Sequence, residues 1–149
     1  MNRDFVEMLA ALSDAGADFL VVGAHALAAH GIPRATGDLD LWIRPTPENA
    51  RRVWSALERF GAPLDPLKLD DLSSPDIVFQ IGVSPNRIDL LTSLTAVSFD
   101  EAWHKRIHVR VGDRDVPTIG KQDFLRNKRA VGRPRDLADV ADLEALPEE

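Results

Sequence analysis

The sequence predicts an α+β fold, a mixed β-sheet with flanking helices, and three observations lead there. Two pairs of short apolar-alternating segments, 77–81 with 87–91 and 107–111 with 114–116, are joined by tight turns and read as β-hairpins. Two earlier apolar segments, 18–22 and 38–43, are each followed by a helical pattern, so parallel as well as antiparallel pairings are implied. The chain has 149 residues, of which 44% are hydrophobic, enough for one domain with one sizeable core over residues 1–149.

The elements follow in order. Asn2 to Ala15 has helical spacing, with Phe5, Met8, Leu9 and Leu12 on one face and Gly16 as the stop. Phe19-Leu20-Val21-Val22 suits a buried strand within 18–22. Gly23 opens a small-residue helix, Ala24 to His30, closed by Gly31, and 32–37 is a loop. Asp38 to Ile43 alternates, with Leu39, Leu41 and Ile43 on one face. Thr46 caps the next helix and Pro47 takes its first position; it runs to Phe60 and stops at Gly61. Residues 62–75, with Pro63, Pro66, Ser73, Ser74 and Pro75, predict a long surface loop. Ser84-Pro85-Asn86 turns the first hairpin and Gly112-Asp113 the second. A short helix is predicted over Phe99 to His104, and the last two helices, within about 120–146, over Lys121 to Ala130 and Arg135 to Leu146.

Composition removes several function classes. With no cysteine, disulfides, cysteine-ligated zinc and a cysteine nucleophile are excluded. Charge interrupts the amino terminus at Arg3 and Asp4, so no signal-peptide core forms there. No apolar run approaches the roughly 18 residues of a membrane span; the expectation is a soluble, cytoplasmic protein without a membrane partner. The net charge of −6 does not suit sequence-blind nucleic-acid binding over a broad surface. No serine is flanked as in a hydrolase elbow.

Asp38-Leu39-Asp40 carries the first chemical signal. On a strand, residues two apart point the same way, so both carboxylates project together while the leucines enter the core. Such neighbours repel, and a divalent cation relieves them; magnesium takes carboxylates together with substrate phosphates. The pattern alone is weak, since 17 aspartates give about two Asp-x-Asp pairs by chance. Asp113-Arg114-Asp115 is a second such pair, and its place in a turn explains it locally. Asp38 and Asp40 instead begin an apolar strand. Asp89 adds to them, because it interrupts the apolar strand Arg87-Ile88-Asp89-Leu90-Leu91; the alternative is an edge-strand aspartate facing water. Val22-Gly23-Ala24 ends a strand and opens a helix, where free amides and a missing side chain let a phosphate approach, or where glycine merely permits the turn.

Taken together, Phe19-Leu20-Val21-Val22-Gly23-Ala24, Arg34-Ala35-Thr36-Gly37-Asp38-Leu39-Asp40-Leu41 and Arg87-Ile88-Asp89-Leu90 resemble the DNA polymerase beta superfamily of nucleotidyltransferases. The chain is most similar to small bacterial members, the AbiE-type toxins and the minimal nucleotidyltransferase antitoxins, closely over 18–91 and loosely at Arg133-Pro134-Arg135-Asp136-Leu137-Ala138-Asp139. The resemblance implies a nucleotidyltransferase-like fold and transfer of a nucleoside monophosphate from a nucleoside triphosphate to RNA, a protein or a small molecule. It implies two magnesium ions, with manganese as the alternative, held by Asp38, Asp40 and Asp89; Asp89 would also help activate the acceptor hydroxyl. Gly23 and Ala24 would cradle the β and γ phosphates. It also implies a cognate toxin or antitoxin protein as partner. Ala24 departs from the family's usual glycine or serine and lacks a hydroxyl donor. The 149 residues are too few for the large helical domain of longer toxins. Both features favour the alternative of a catalytically reduced nucleotide-binding or partner-binding module; a magnesium-dependent phosphohydrolase ranks third.

Arg34 and Thr36 precede the carboxylates; Arg34 either grips a triphosphate oxygen or pairs with a metal-site aspartate. Residues 121–135 carry six basic side chains and one acid, and 136–149 carry six acids and no base. The block serves either a phosphate or RNA groove or pairing between the last two helices. Lys128 is the expected triphosphate contact, Asp136 a helix cap and Asp139 a residue that orients a base. His25, His30 and the three tryptophans are expected to be structural.

Overall fold

The computed structural model describes residues 1–33 and 37–147. Six strands form one sheet in the order β3-β4-β2-β1-β6-β5: β1 Phe19–Val22, β2 Leu39–Ile43, β3 Val78–Ile81, β4 Ile88–Leu91, β5 Ile107–Val111 and β6 Arg114–Thr118. The helices are α1 Arg3–Asp14, α2 Gly23–Ala29, α3 Pro47–Phe60, α4 Phe99–His104, α5 Lys121–Val131 and α6 Pro134–Glu144. Two hairpins and β1–β2 supply antiparallel pairs, while β2–β4 and β1–β6 run parallel. The mixed sheet with flanking helices is the predicted class.

Strand alternation sorts the apolar residues onto two faces. Phe19, Val21, Leu39, Leu41, Ile43, Ile88 and Leu90 pack on one side under α1 and α3. Leu20, Val22 and Trp42 face the other side, under residues of α2, α4, α5 and α6. The sequence anticipated one core; a central sheet covered on both faces makes two. The caps behave as their chemistry requires: Asn2 accepts from the Phe5 amide, Thr46 from Asn49, and Ser98 from Glu101. Gly61 closes α3 in the left-handed conformation.

The differences from the sequence reading are local. The 62–75 loop contains a 3-10 helix, Leu69–Ser73, because Leu72 is fully buried against the first core. β6 extends to Thr118 through Pro117, and its pairing with β1 is confined to Val21 and Thr118, so a residue without an N–H is accommodated. Strand β2 begins at Leu39 rather than Asp38, β3 at Val78 and β4 at Ile88; the last helix begins at Pro134 and ends at Glu144. No described helix is long and apolar enough to cross a membrane.

Candidate active site

Register brings the carboxylates together. β2 and β4 are parallel neighbours, and Asp40 lies directly beside Asp89, with Leu39 beside Ile88 and Leu41 beside Leu90. The leucines and isoleucine enter the first core, so both carboxylates project from the opposite face, next to Val22 of β1. Asp38 stands one residue before the strand. Its Oδ2 accepts from Ser84 Oγ at 2.9 Å and its Oδ1 from the Arg87 amide at 3.2 Å.

Arg87 ties this edge together. It donates from Nε and Nη2 to the two oxygens of Asp89, at 2.8 and 3.2 Å, and its Nη2 lies 3.3 Å from Asp38 Oδ2. Asp89 is only 7% exposed, so this fork supplies the charge partner that a buried carboxylate needs. Among the described residues Asp40 has no such clamp. Burial, then the charge of Asp89 and a hydrogen bond to it, then the charge of Asp38, push its carboxyl up to about 6, with Lys128 pulling the other way. The ionised form of Asp40 is therefore short of positive charge.

Gly23 begins α2 with φ +68°, and a Cβ there would overlap Asp40 Oδ2. The glycine thus serves two needs: a left-handed turn from strand to helix, and close approach of the backbone to a carboxylate. α2 has only seven residues, so the backbone amides of the turn matter more than a long helix dipole.

Across from this turn, α5 and α6 bring cations. Lys128 Nζ lies 3.3 Å from Asp136 Oδ1 and 4.0 Å from Asp139 Oδ2. Asp136 is fully buried, accepts the Arg133 amide as a cap for α6, and accepts Arg133 Nε at 2.6 Å. These bonds, with Arg133 first and Lys128 next, hold its carboxyl down at about 2. A cleft of about 270 Å³ is lined by Gly23, Ala24, Leu27, Asp40, Lys128, Arg133, Arg135, Asp136 and Asp139. A carboxylate edge thus faces a basic wall across a gap, an arrangement that suits a polyanion together with a cation.

The expected residues divide as follows. Asp40 and Asp89 stand side by side, and Asp38 is joined to Asp89 through Arg87; Gly23, Ala24 and Lys128 line the cleft beside Asp40. Arg34 and Thr36 lie outside the described residues. Among the described residues no three acidic or histidine side chains form a ready-made metal cage, since Arg87 is interposed between Asp38 and Asp89. The donors nonetheless fit magnesium or manganese: hard carboxylate oxygens on paired strands, with Asp40 buried beside the charges of Asp89 and Asp38 and the charge of Lys128 offsetting them in part. Of the two uses weighed for the basic block, pairing between the last two helices is present: Lys128 and Arg133 pair with Asp136 while also lining the cleft, and Arg129 bonds Glu144 away from it. Asp136 caps α6 and Asp139 stands by Lys128, as anticipated. His25 packs edge-on against Phe5, and burial lowers its pKa; His30 Nε2 lies 2.8 Å from the Ile119 carbonyl. Trp42 is buried, and Trp103 lies under the guanidinium groups of Arg44 and Arg106.

The sequence reading assigns no role of their own to Arg87 of the Arg87-Ile88-Asp89-Leu90 motif or to Arg133 and Arg135 of the basic block. The signal for Arg87 was available: it stands two residues before Asp89, on the same strand face if the strand is extended to include it. A roomier open hollow of about 690 Å³ lies at His30, Gly31, Lys121 and Leu146, and none of the three aspartates lines it.

No family model matches the chain, and no curated protein matches it in sequence. Solved structures do resemble it. The lincosamide antibiotic adenylyltransferase LnuA, crystallised with lincomycin, superposes with a TM-score of 0.64 at 13% identity, covering 99% of this chain and 98% of that one. A Thermotoga maritima protein described as a nucleotidyltransferase gives a TM-score of 0.58 at 14% identity, over 95% and 94%. An antigenic nucleotidyltransferase-like protein from Paracoccidioides brasiliensis gives 0.56 at 16% identity, over 97% and 77%. The fold is that of the nucleotidyltransferases.

Proposed function

We propose that this protein is a magnesium- or manganese-dependent nucleotidyltransferase that moves a nucleoside monophosphate from a nucleoside triphosphate to a hydroxyl group. The observation that carries the reading is the pairing of Asp40 with Asp89 across parallel strands, facing the Gly23 turn and the Lys128–Arg133–Arg135 wall. Nucleotidyltransferase folds among the structural neighbours support the same chemistry.

Asp38, Asp40 and Asp89 would hold the divalent ions, which supply charge stabilisation at the entering and leaving oxygens. The rest falls to the chain's own groups. Lys128, Arg133 and Arg135 bind the β and γ phosphates and stabilise the pyrophosphate as it leaves. The Gly23 turn lets those phosphates approach the backbone. Asp89 takes up the proton of the acceptor hydroxyl as its oxygen bonds to the α phosphorus and the bond to the β-phosphate oxygen breaks. Arg87 holds Asp38 and Asp89 in register. That LnuA is an adenylyltransferase of lincosamide antibiotics supports a small-molecule acceptor.

Ala24 gives specific support to a second reading, a nucleotide-binding or toxin–antitoxin partner-binding module with reduced turnover, because it offers the phosphates no hydroxyl. One experiment separates the two. The protein is incubated with each α-labelled triphosphate, magnesium and cell extract, beside Asp40→Asn. Label moving onto an acceptor with the wild type alone supports transfer. Magnesium-dependent binding without transfer supports the module, and free phosphate release without transfer overturns both.

A further inference from the structure

A second cleft adjoins the first and differs from it in chemistry. It measures about 220 Å³ and shares Gly23, Asp40, Lys128 and Arg133 with the charged cleft. Beyond that shared edge its walls carry no charge: Leu91, Ser93, Leu94, Thr95, Asn127 and Val131. Two elements build it. The segment after β4 gives one wall and the cleft-facing side of α5 the other. Asn127 Nδ2 donates to the Thr95 carbonyl at 3.1 Å, which fixes the distance between the walls and the orientation of the amide.

We propose that this neutral cleft is the nucleoside subsite, which takes the base of the triphosphate and makes Asn127 and Val131 determinants of which base is accepted. The inference rests on the functional reading above. A molecule with a polyanionic tail and a flat, uncharged head needs two adjoining environments of unlike chemistry, and the shared edge at Asp40 and Lys128 is where the two parts of the ligand join. Leu91, Leu94 and Val131 offer apolar surface to the faces of a ring, and an amide and two hydroxyl side chains offer donors and acceptors to its edge. The volume is below the roughly 300–1,000 Å³ of sites for larger ligands, which suits a single ring system rather than a polymer. Val131 is 37% exposed at the end of α5, so it can be enlarged without disturbing either core.

The test compares inorganic tripolyphosphate with ATP, GTP, CTP and UTP, each titrated by calorimetry in the presence of magnesium. Wild type is set beside Val131→Trp, which narrows the cleft from α5, and Thr95→Phe, which narrows it from the other wall; circular dichroism confirms that each variant is folded. The expected result is that one or two nucleotides bind wild type about tenfold more tightly than the others, that both variants lose this preference, and that tripolyphosphate binds all three proteins alike. Equal binding of all four nucleotides and tripolyphosphate by wild type, or an unchanged preference in both variants, overturns the nucleoside assignment while leaving the phosphate cleft standing. If nucleotide binding is unchanged and only transfer to the acceptor falls, the cleft belongs to the acceptor and the assignment is overturned. Absence of any binding by tripolyphosphate and nucleotides alike overturns the functional reading itself.

Discussion

Asp40 couples the site to the stability of the fold. Its carboxyl titrates near 6 in the native protein against 3.8 ordinarily, so between these values the native state holds a proton that the unfolded chain has released. Stability therefore falls as pH rises through that window. At pH 8, with divalent ions chelated, Asp40→Asn should raise stability by about 1–2 kcal/mol, read from denaturant midpoints. Under the proposed function magnesium and nucleotide stabilise the wild type, and the same substitution should abolish that stabilisation. A destabilised variant at pH 8 would contradict this account of the Asp40 environment. Gly23 is the complementary case. Gly23→Ala places a Cβ against Asp40 Oδ2 at a positive φ, so we expect a cost of about 1–3 kcal/mol and weakened nucleotide binding. A fully stable Gly23→Ala that binds nucleotide normally would show that the turn tolerates a side chain.

The α5–α6 pair is the element on which the basic wall depends. Asp136 is buried and binds the backbone and side chain of Arg133 as well as Lys128. Removing it leaves Lys128 without that partner and α6 without its cap, so Asp136→Ala should cost about 3 kcal/mol in urea denaturation and weaken tripolyphosphate binding. Its depressed pKa fixes the sign of the pH effect. The contribution is present above 3.8, the ordinary value, and is lost as pH falls toward 2. An acid-unfolding profile identical in Asp136→Ala and wild type would sink this assignment. This pairing was half legible in the sequence. The charge blocks at 121–135 and 136–149 announced ion pairs or an anion groove, and Asp136 was the expected cap of the last helix. That one lysine both pairs with α6 and lines the cleft was not legible, because it depends on the angle at which α5 lies over the sheet. The carboxylates were more legible: strand periodicity alone set Asp40 opposite the buried leucines. Arg87 was less so, since its reach to both Asp38 and Asp89 is a matter of rotamer. The 3-10 helix at Leu69–Ser73 was hidden by the prolines and serines of the 62–75 loop around it, and the burial of Leu72 accounts for it.

Across the whole molecule, stability should be graded along the sheet. β1, β2 and β4 lie between two buried faces, whereas β5 is an edge strand and β6 joins β1 through a single paired position. Hydrogen exchange should accordingly be fastest in β5 and slowest in β2 and β4; equal protection of β5 and β2 would mean that the hairpin is held by more than this pairing. The predicted fold class follows from the same periodicities, but the strand order β3-β4-β2-β1-β6-β5 does not. Local alternation cannot say that β4 inserts beside β2 or that β6 returns to β1, since those choices follow from which apolar faces the helices cover. The separation of the two halves of the site along the chain has a further consequence. The acidic strands are complete by Leu91, while Lys128, Arg133 and Arg135 are made only afterwards. A growing polypeptide on the ribosome would carry the acidic half of the cleft without its basic half, so the cleft is complete only once the late helices emerge and dock.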